Sequence, residues 1–218
     1  MGVIMQILTL SLGALATNCY IVSVSDNAPA VVIDPGDEAD KVLTALSEHH
    51  LTLEAILLTH GHFDHIAALD DLISATGCDF YISKPDSLMI RDGTKNFSIS
   101  FFGKDIYTTA LPKQTVSDGD TLSLAGLDFS VLETPGHSLG SVCYRVDNVL
   151  FSGDTLFQGA CGRVDGYSAS PKEMLRSLSK IRMIDDNLTI YPGHGESTTL
   201  DYEKDNNMYM RLKHVLND

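Results

Sequence analysis

Between Thr59 and His65 the chain reads Thr-His-Gly-His-Phe-Asp-His. Three imidazoles and a carboxylate in so short a stretch are metal-ligand side chains at a density that packing alone does not call for. They follow the apolar run Ala55-Ile56-Leu57-Leu58. If the chain stays extended through His60 and His62, those two side chains share a face, because strand residues two apart point the same way. Asp64 and His65 are adjacent and can face a second ion. The spacing therefore points to two metals, and two adjacent metals point to hydrolysis.

Three more candidate ligands stand alone in glycine-containing turns. His137 lies in Thr134-Pro135-Gly136-His137, Asp154 in Ser152-Gly153-Asp154-Thr155, and His194 in Pro192-Gly193-His194-Gly195. Each follows an apolar run of strand character. Glycine permits the backbone shapes of such turns and a close approach by an ion. His49, His50 and His214 have no comparable setting and read as surface residues near helix ends.

The elements that must position these turns alternate between strand and helix. Met5–Leu10 and Cys19–Val24 read as strands, and Ala30–Ile33 as a strand buried on both faces, ended by Asp34-Pro35-Gly36. Helical periodicity covers Asp37–His49 and Asp64–Thr76, and Gly77 ends the second helix. Asp79–Ser83 is a short strand, and residues 85–115 are irregular, a loop that covers a small aromatic cluster or walls a pocket. Strands at Leu122–Leu124, Leu127–Glu133, Ser141–Val146 and Val149–Phe151 precede a helix at Pro171–Ile181, a strand at Leu188–Tyr191 and a last helix at Leu200–Leu216. The two halves echo one another. In each, a strand ends in Asp at a turn, a helix follows, and a later strand ends in His at a turn.

With 218 residues, 44% hydrophobic and 20% charged, the chain suits one globular domain spanning 1–218. Its formal net charge of −14 opposes sequence-independent nucleic-acid binding and docking on anionic membranes. A small-molecule substrate fits better, and no feature reports the oligomeric state. Cys19, Cys78, Cys143 and Cys161 are widely spaced, with no Cys-x-x-Cys pair, as expected of buried thiols in a reducing cytoplasm. The first Lys or Arg is Lys41, so the uncharged N-terminal stretch lacks the basic start of a signal peptide and reads as two strands.

In order and context, His60-x-His62-x-Asp64-His65, Thr134-Pro135-Gly136-His137, Ser152-Gly153-Asp154-Thr155-Leu156-Phe157, Cys161-Gly162-Arg163 and Pro192-Gly193-His194 resemble the metallo-β-lactamase fold superfamily. The resemblance covers nearly the whole chain and is nearest to the glyoxalase II-like (hydroxyacylglutathione hydrolase) branch. It implies an α/β fold, a four-layer αββα sandwich, with a dinuclear site at one edge. His60, His62 and His137 would hold one ion, Asp64, His65 and His194 the other, and Asp154 would bridge them. Asp64 and Asp154 then also serve the chemistry, in which a metal-bound hydroxide attacks a small thioester. The donors suit Zn²⁺ first, and Fe or Mn as well. Asp34 is a candidate partner for a ligand histidine, or simply a turn former.

The substrate is less defined. Arg163 matches the basic residue that the branch uses to bind glutathione, but Asp165 stands where the branch has an aromatic. The 24 residues after His194 suffice for one helix and not for the helical domain of the larger enzymes. Tyr167, and less directly Tyr202 and Lys204, are further pocket candidates. Two alternatives remain: a persulfide dioxygenase with one iron on His60, His137 and Asp154, and a lactone or ester hydrolase of the same fold. A nucleic-acid-processing member is disfavoured by the acidic balance.

Overall fold

In the segment Pro29–Ile33 every residue after Pro29 is buried, yet alternate side chains serve different cores. Val31 and Ile33 join one apolar cluster and Val32 another. The same division separates Ala55 and Leu57 from Ile56, and Phe151 from Leu150. Strands apolar on both faces need a packed layer on each side. These strands meet that need by stacking two sheets face to face and covering each outer face with helices.

The computed structural model describes residues 5–211. Its first half comprises β1 (Gln6–Leu12), β2 (Thr17–Ser23), β3 (Pro29–Ile33), α1 (Ala39–Glu48), β4 (Thr52–Leu57), α2 (Phe63–Ile66), α3 (Leu69–Thr76), β5 (Asp79–Ser83), α4 (Asp86–Met89), α5 (Ser98–Phe102) and β6 (Gln114–Val116). The six strands form one sheet in chain order, antiparallel at β1–β2–β3 and parallel from β3 to β6. The second half comprises β7 (Thr121–Leu124), β8 (Leu127–Glu133), β9 (Val142–Val146), β10 (Val149–Gly153), α6 (Pro171–Arg182), β11 (Thr189–Pro192), β12 (Thr198–Thr199) and α7 (Leu200–Asn206). Its sheet runs β12-β11-β10-β9-β8-β7, with β10 and β11 its parallel pair. Helices α1 and α3 pack on the first sheet through Val42, Leu46, Leu69 and Leu72. Helix α6 packs on the second through Met174, Leu178 and Ile181. The result is the expected four-layer αββα sandwich.

The echo in the sequence is a repeat in topology. Strands β2 and β3 are antiparallel, α1 crosses over, and β4 lies parallel to β3. Strands β9 and β10, α6 and β11 repeat that path. Two buried tyrosines carry the repeat across the sheet interface. Tyr144 of β9 donates to the Leu58 carbonyl at 3.0 Å, just before the histidine-rich turn. Tyr20 of β2 donates to the Pro192 carbonyl at 2.5 Å, just before the turn of His194. Each sheet thus steadies the turn that leaves the other, and burial pushes both phenols above their ordinary range.

Several boundaries differ from the sequence expectations. The helix expected over Asp64–Thr76 is two helices, because the Ala68 amide bonds to the Pro35 carbonyl at 3.1 Å and breaks the ladder. The last helix stops at Asn206 instead of running on. Asn207 leaves the helical region, and its side chain is held by the Ala160 carbonyl at 3.0 Å and the Glu203 carboxylate at 2.9 Å. The remainder of the expected helix, from residue 212, and His214 lie outside the described residues. Residues 85–115 contain α4, α5 and the start of β6, tied down by bonds such as Ile106 N–H to Ser98 Oγ at 2.9 Å. Strands β6 and β12 were not legible as strands. The four cysteines are free, three buried and Cys161 half-buried. Among the described residues no helix is long and apolar enough to cross a membrane.

The tyrosine bonds make a stability prediction. Tyr144→Phe removes the hydroxyl that the Leu58 carbonyl accepts from and should cost about 1–3 kcal/mol. Tyr20→Phe should cost less, because Asn18 also donates to the Pro192 carbonyl, at 3.0 Å. Urea denaturation of both variants checks the order; equal or negligible losses would contradict it.

Candidate metal centre

The turns that leave the parallel strands of both sheets meet at one edge of the sandwich. The turn after β4 brings His60 and His62, and α2 brings Asp64 and His65. The loop between β8 and β9 brings His137, the residue after β10 is Asp154, and the turn after β11 brings His194. One possible ligand atom from each of His60, His62 and His137 lies within 4.8 Å of the others, and so do those of Asp64, His65 and His194. Asp154 faces both groups. Its Oδ2 is 3.4 Å from His137 Nε2 and 3.7 Å from His194 Nε2, and its Oδ1 is 3.4 Å from His65 Nε2. All seven residues singled out by their spacing therefore converge.

This convergence requires close backbone packing. A Cβ on Gly193 would fall 2.2 Å from Asp154 Oδ1 and 2.8 Å from the His65 ring, so the turn that presents His194 can approach only as glycine.

The hydrogen bonds determine which ring atom of each histidine faces inward. His65 Nδ1 donates to Asp34 Oδ2 at 3.0 Å. Thr59 donates its backbone N–H and its hydroxyl to the same carboxylate, at 2.8 and 2.6 Å. That hydroxyl has given away its one proton, so its 3.1 Å contact with His60 Nδ1 must be a bond donated by the imidazole. His137 Nδ1 donates to the Arg163 carbonyl at 2.8 Å. His60, His65 and His137 thus turn their Nε2 atoms to the centre. His62 presents Nδ1, which is 2.8 Å from His137 Nε2.

Several of these atoms are buried with no protein partner: His60 Nε2, His65 Nε2 and Asp154 Oδ1. Buried polar atoms are nearly always bonded, so a convergent set of unpartnered ligand atoms fits a cation. Burial, helped by neighbouring imidazoles, pushes His60 well below the ordinary histidine range and His62 to about 3. Both stay neutral and able to donate a lone pair. Burial works to raise Asp64 and Asp154, but the facing imidazoles outweigh it and both carboxyls lie below their usual range. Burial likewise opposes a charge on His65, and Asp64, Asp34 and Asp154 together outweigh it, so that imidazole is pushed up. The carboxylate-rich half calls for positive charge, which a divalent ion supplies as it displaces protons. Imidazole and carboxylate donors fit divalent metals, and they do not by themselves choose among zinc, iron and manganese.

A cleft of about 230 Å³ opens over the centre. Leu15, Phe97, Phe101 and Phe157 give it apolar walls, and Arg163 stands at its mouth. Phe97 adopts a left-handed backbone (φ 72°) that aromatic residues rarely take. Its ring packs 4.9 Å from His62 and lies under the Arg163 guanidinium at 5.7 Å. Arg163 is paired with Asp165 through two bonds, at 2.7 and 3.2 Å. Tyr167 lies outside the lining of this cleft, exposed, with Lys95 5.8 Å above its ring. Lys204 is directed to the Ile184 carbonyl at 2.6 Å, and neither it nor the exposed Tyr202 lines the cleft. His49 pairs with Asp26 at 3.0 Å and His50 is exposed, both away from the centre. Sequence reasoning missed the walls Leu15 and Phe157, whereas Phe97 and Phe101 come from the 85–115 segment, for which a pocket wall was one of the two readings. It also passed over Thr17, whose hydroxyl donates to Asp64 Oδ2 at 3.0 Å.

A family model described as the metallo-beta-lactamase superfamily matches residues 12–194. A hydroxyacylglutathione hydrolase, GloC, of Haemophilus influenzae is 31% identical, over 96% of this chain and all of its own length. Among solved structures, the B3 metallo-beta-lactamase BLEG-1 superposes with a TM-score of 0.89 at 35% identity, covering 94% of this chain and 99% of that one. TTHA1623 in a di-iron-bound form gives 0.81 at 35% identity, with 93% and 99% covered. ETHE1 from Myxococcus xanthus gives 0.77 at 26% identity, with 93% and 83% covered.

Removing Asp34 tests how the centre is held. Asp34→Ala should weaken divalent-metal binding roughly 10–100-fold, read by zinc titration against a competing chelator. An unchanged affinity would mean that the imidazole tautomers are set by other groups. Fold, ligand geometry and sequence kinship agree: the chain belongs to the metallo-beta-lactamase superfamily.

Proposed function

We propose that the protein is a metal-dependent hydrolase of the glyoxalase II type that cleaves a small thioester. The observation that carries this reading is the pair of complete triads with Asp154 facing both. His60, His62 and His137 would hold one divalent ion, Asp64, His65 and His194 the second, and Asp154 would bridge them. Zinc is the expected metal, with iron or manganese suited to the same donors. Two ions held there would lower the pKa of a shared water and polarise the scissile carbonyl.

The chain's own groups supply the rest. Asp34, Thr59 and the Arg163 carbonyl hold the imidazoles with Nε2 turned to the centre. Asp64 and Asp154, kept ionised, can accept the proton that the attacking water releases. Thr17 fixes one oxygen of Asp64 while it does so. A thiolate leaves at modest pKa, so a thioester needs no strong general acid, unlike an amide. The apolar walls suit a small acyl group and exclude bulk water from it. The charge of Arg163 is already matched by Asp165, so the mouth does not demand an anionic thiol such as glutathione.

A mononuclear iron dioxygenase would use His60, His137 and Asp154 and leave Asp64, His65 and His194 without a task. One pair of assays separates the two. The metal-loaded protein should hydrolyse S-lactoylglutathione or an uncharged thioester with the same acyl group, followed by thiol release, and should consume no oxygen with glutathione persulfide. Oxygen uptake with persulfide and no thiol release from any thioester would overturn the proposal.

A further inference from the structure

Asp86 is fully buried at the first position of α4, in the stretch that reads as an irregular loop in the sequence. Its side chain bonds to residues outside that helix. Oδ2 accepts from the Gly61 N–H at 2.9 Å and from the Ser138 hydroxyl at 2.6 Å, and Oδ1 accepts from the Gly140 N–H at 2.8 Å. All three donors are uncharged, and burial pulls the carboxyl above its usual range against them. A buried carboxylate without a charged partner is costly, and turn formation in α4 does not explain it.

The donors belong to two loops from different sheets. Gly61 lies between His60 and His62, and Ser138 follows His137. Ser141 joins the second loop to the same carboxylate, with its hydroxyl 2.8 Å from that of Ser138 and 3.0 Å from the Ser138 N–H. The fit is tight. A Cβ on Gly140 would lie 2.4 Å from Asp86 Oδ1 and 2.2 Å from Ser83 Oγ. None of these bonds reaches Asp64, His65, Asp154 or His194.

We propose that Asp86 is a positioning residue for one half of the centre: it sets the spacing between the His60/His62 turn and the His137 loop, and so the affinity of that triad alone. The inference rests on the ligand assignment proposed above. Asp86→Asn keeps the shape but turns an acceptor into a donor facing a backbone N–H or the Ser138 hydroxyl.

The test measures zinc affinity in two backgrounds. With His194→Ala the zinc that remains sits on His60, His62 and His137; with His137→Ala it sits on Asp64, His65 and the residues around them. Adding Asp86→Asn should weaken binding roughly 10–100-fold in the first background and leave the second within about twofold. Equal losses in both backgrounds, or none in either, would overturn the proposal, because a merely structural residue would act on both halves alike. If Asp86→Asn does not fold, Ser138→Ala decides: it removes one bond and should give a smaller loss confined to the same triad. If the otherwise unaltered protein binds neither zinc, iron(II) nor manganese(II), the ligand assignment fails and this inference falls with it.

Discussion

One carboxylate sets the proton placement of two imidazoles in opposite halves of the centre. Asp34 accepts a hydrogen bond from His65 Nδ1 directly and aligns His60 through the Thr59 hydroxyl. Both rings then turn Nε2 toward the centre, where His65 Nε2 lies 3.4 Å from Asp154 Oδ1. An imidazole with its proton on the other nitrogen could not ligate, however well placed. The position of Asp34 follows from the fold: β3 lies beside β4 in a parallel pair, so the turns leaving both strands emerge at the same edge. The second sheet places Asp154 and His194 by the same rule, through parallel β10 and β11.

The seven converging residues were legible because candidate ligands come in a small set of types and this chain clusters them in glycine turns after apolar runs. The layers were legible because strands such as Val31-Val32-Ile33 and Val149-Leu150-Phe151 are apolar on both faces. The supporting shell was much less so. Asp34 could be read as a turn former. Thr17 and Asp86 lie in stretches that read only as an uncharged N-terminal segment and an irregular loop. Their roles depend on contacts with residues far away in the chain, such as Thr17 with Asp64 and Asp86 with Gly140. Helix ends failed for a similar reason. The break at Ala68 and the stop at Asn207 are imposed by tertiary hydrogen bonds that local propensity does not contain.

The cleft takes its floor and its walls from different parts of the chain. Its floor is the converging His and Asp side chains, and its walls come from other segments: Leu15 before β2, Phe97 and Phe101 around α5, and Phe157 after Asp154. The strained backbone of Phe97 places an aromatic face against His62, joining wall to floor. Arg163 contributes twice. Its carbonyl holds His137, and its guanidinium, paired with Asp165, closes one side of the mouth. Changes at position 165 can therefore alter charge at the mouth without disturbing the bond that orients the histidine.

The central claim is that two ions share Asp154. Anomalous diffraction from crystals of the metal-loaded protein tests it most directly. The account predicts two peaks about 3.5–4 Å apart, one against His60, His62 and His137 and the other against Asp64, His65 and His194. A single fully occupied peak against His60, His137 and Asp154, with no density near His194, would contradict it.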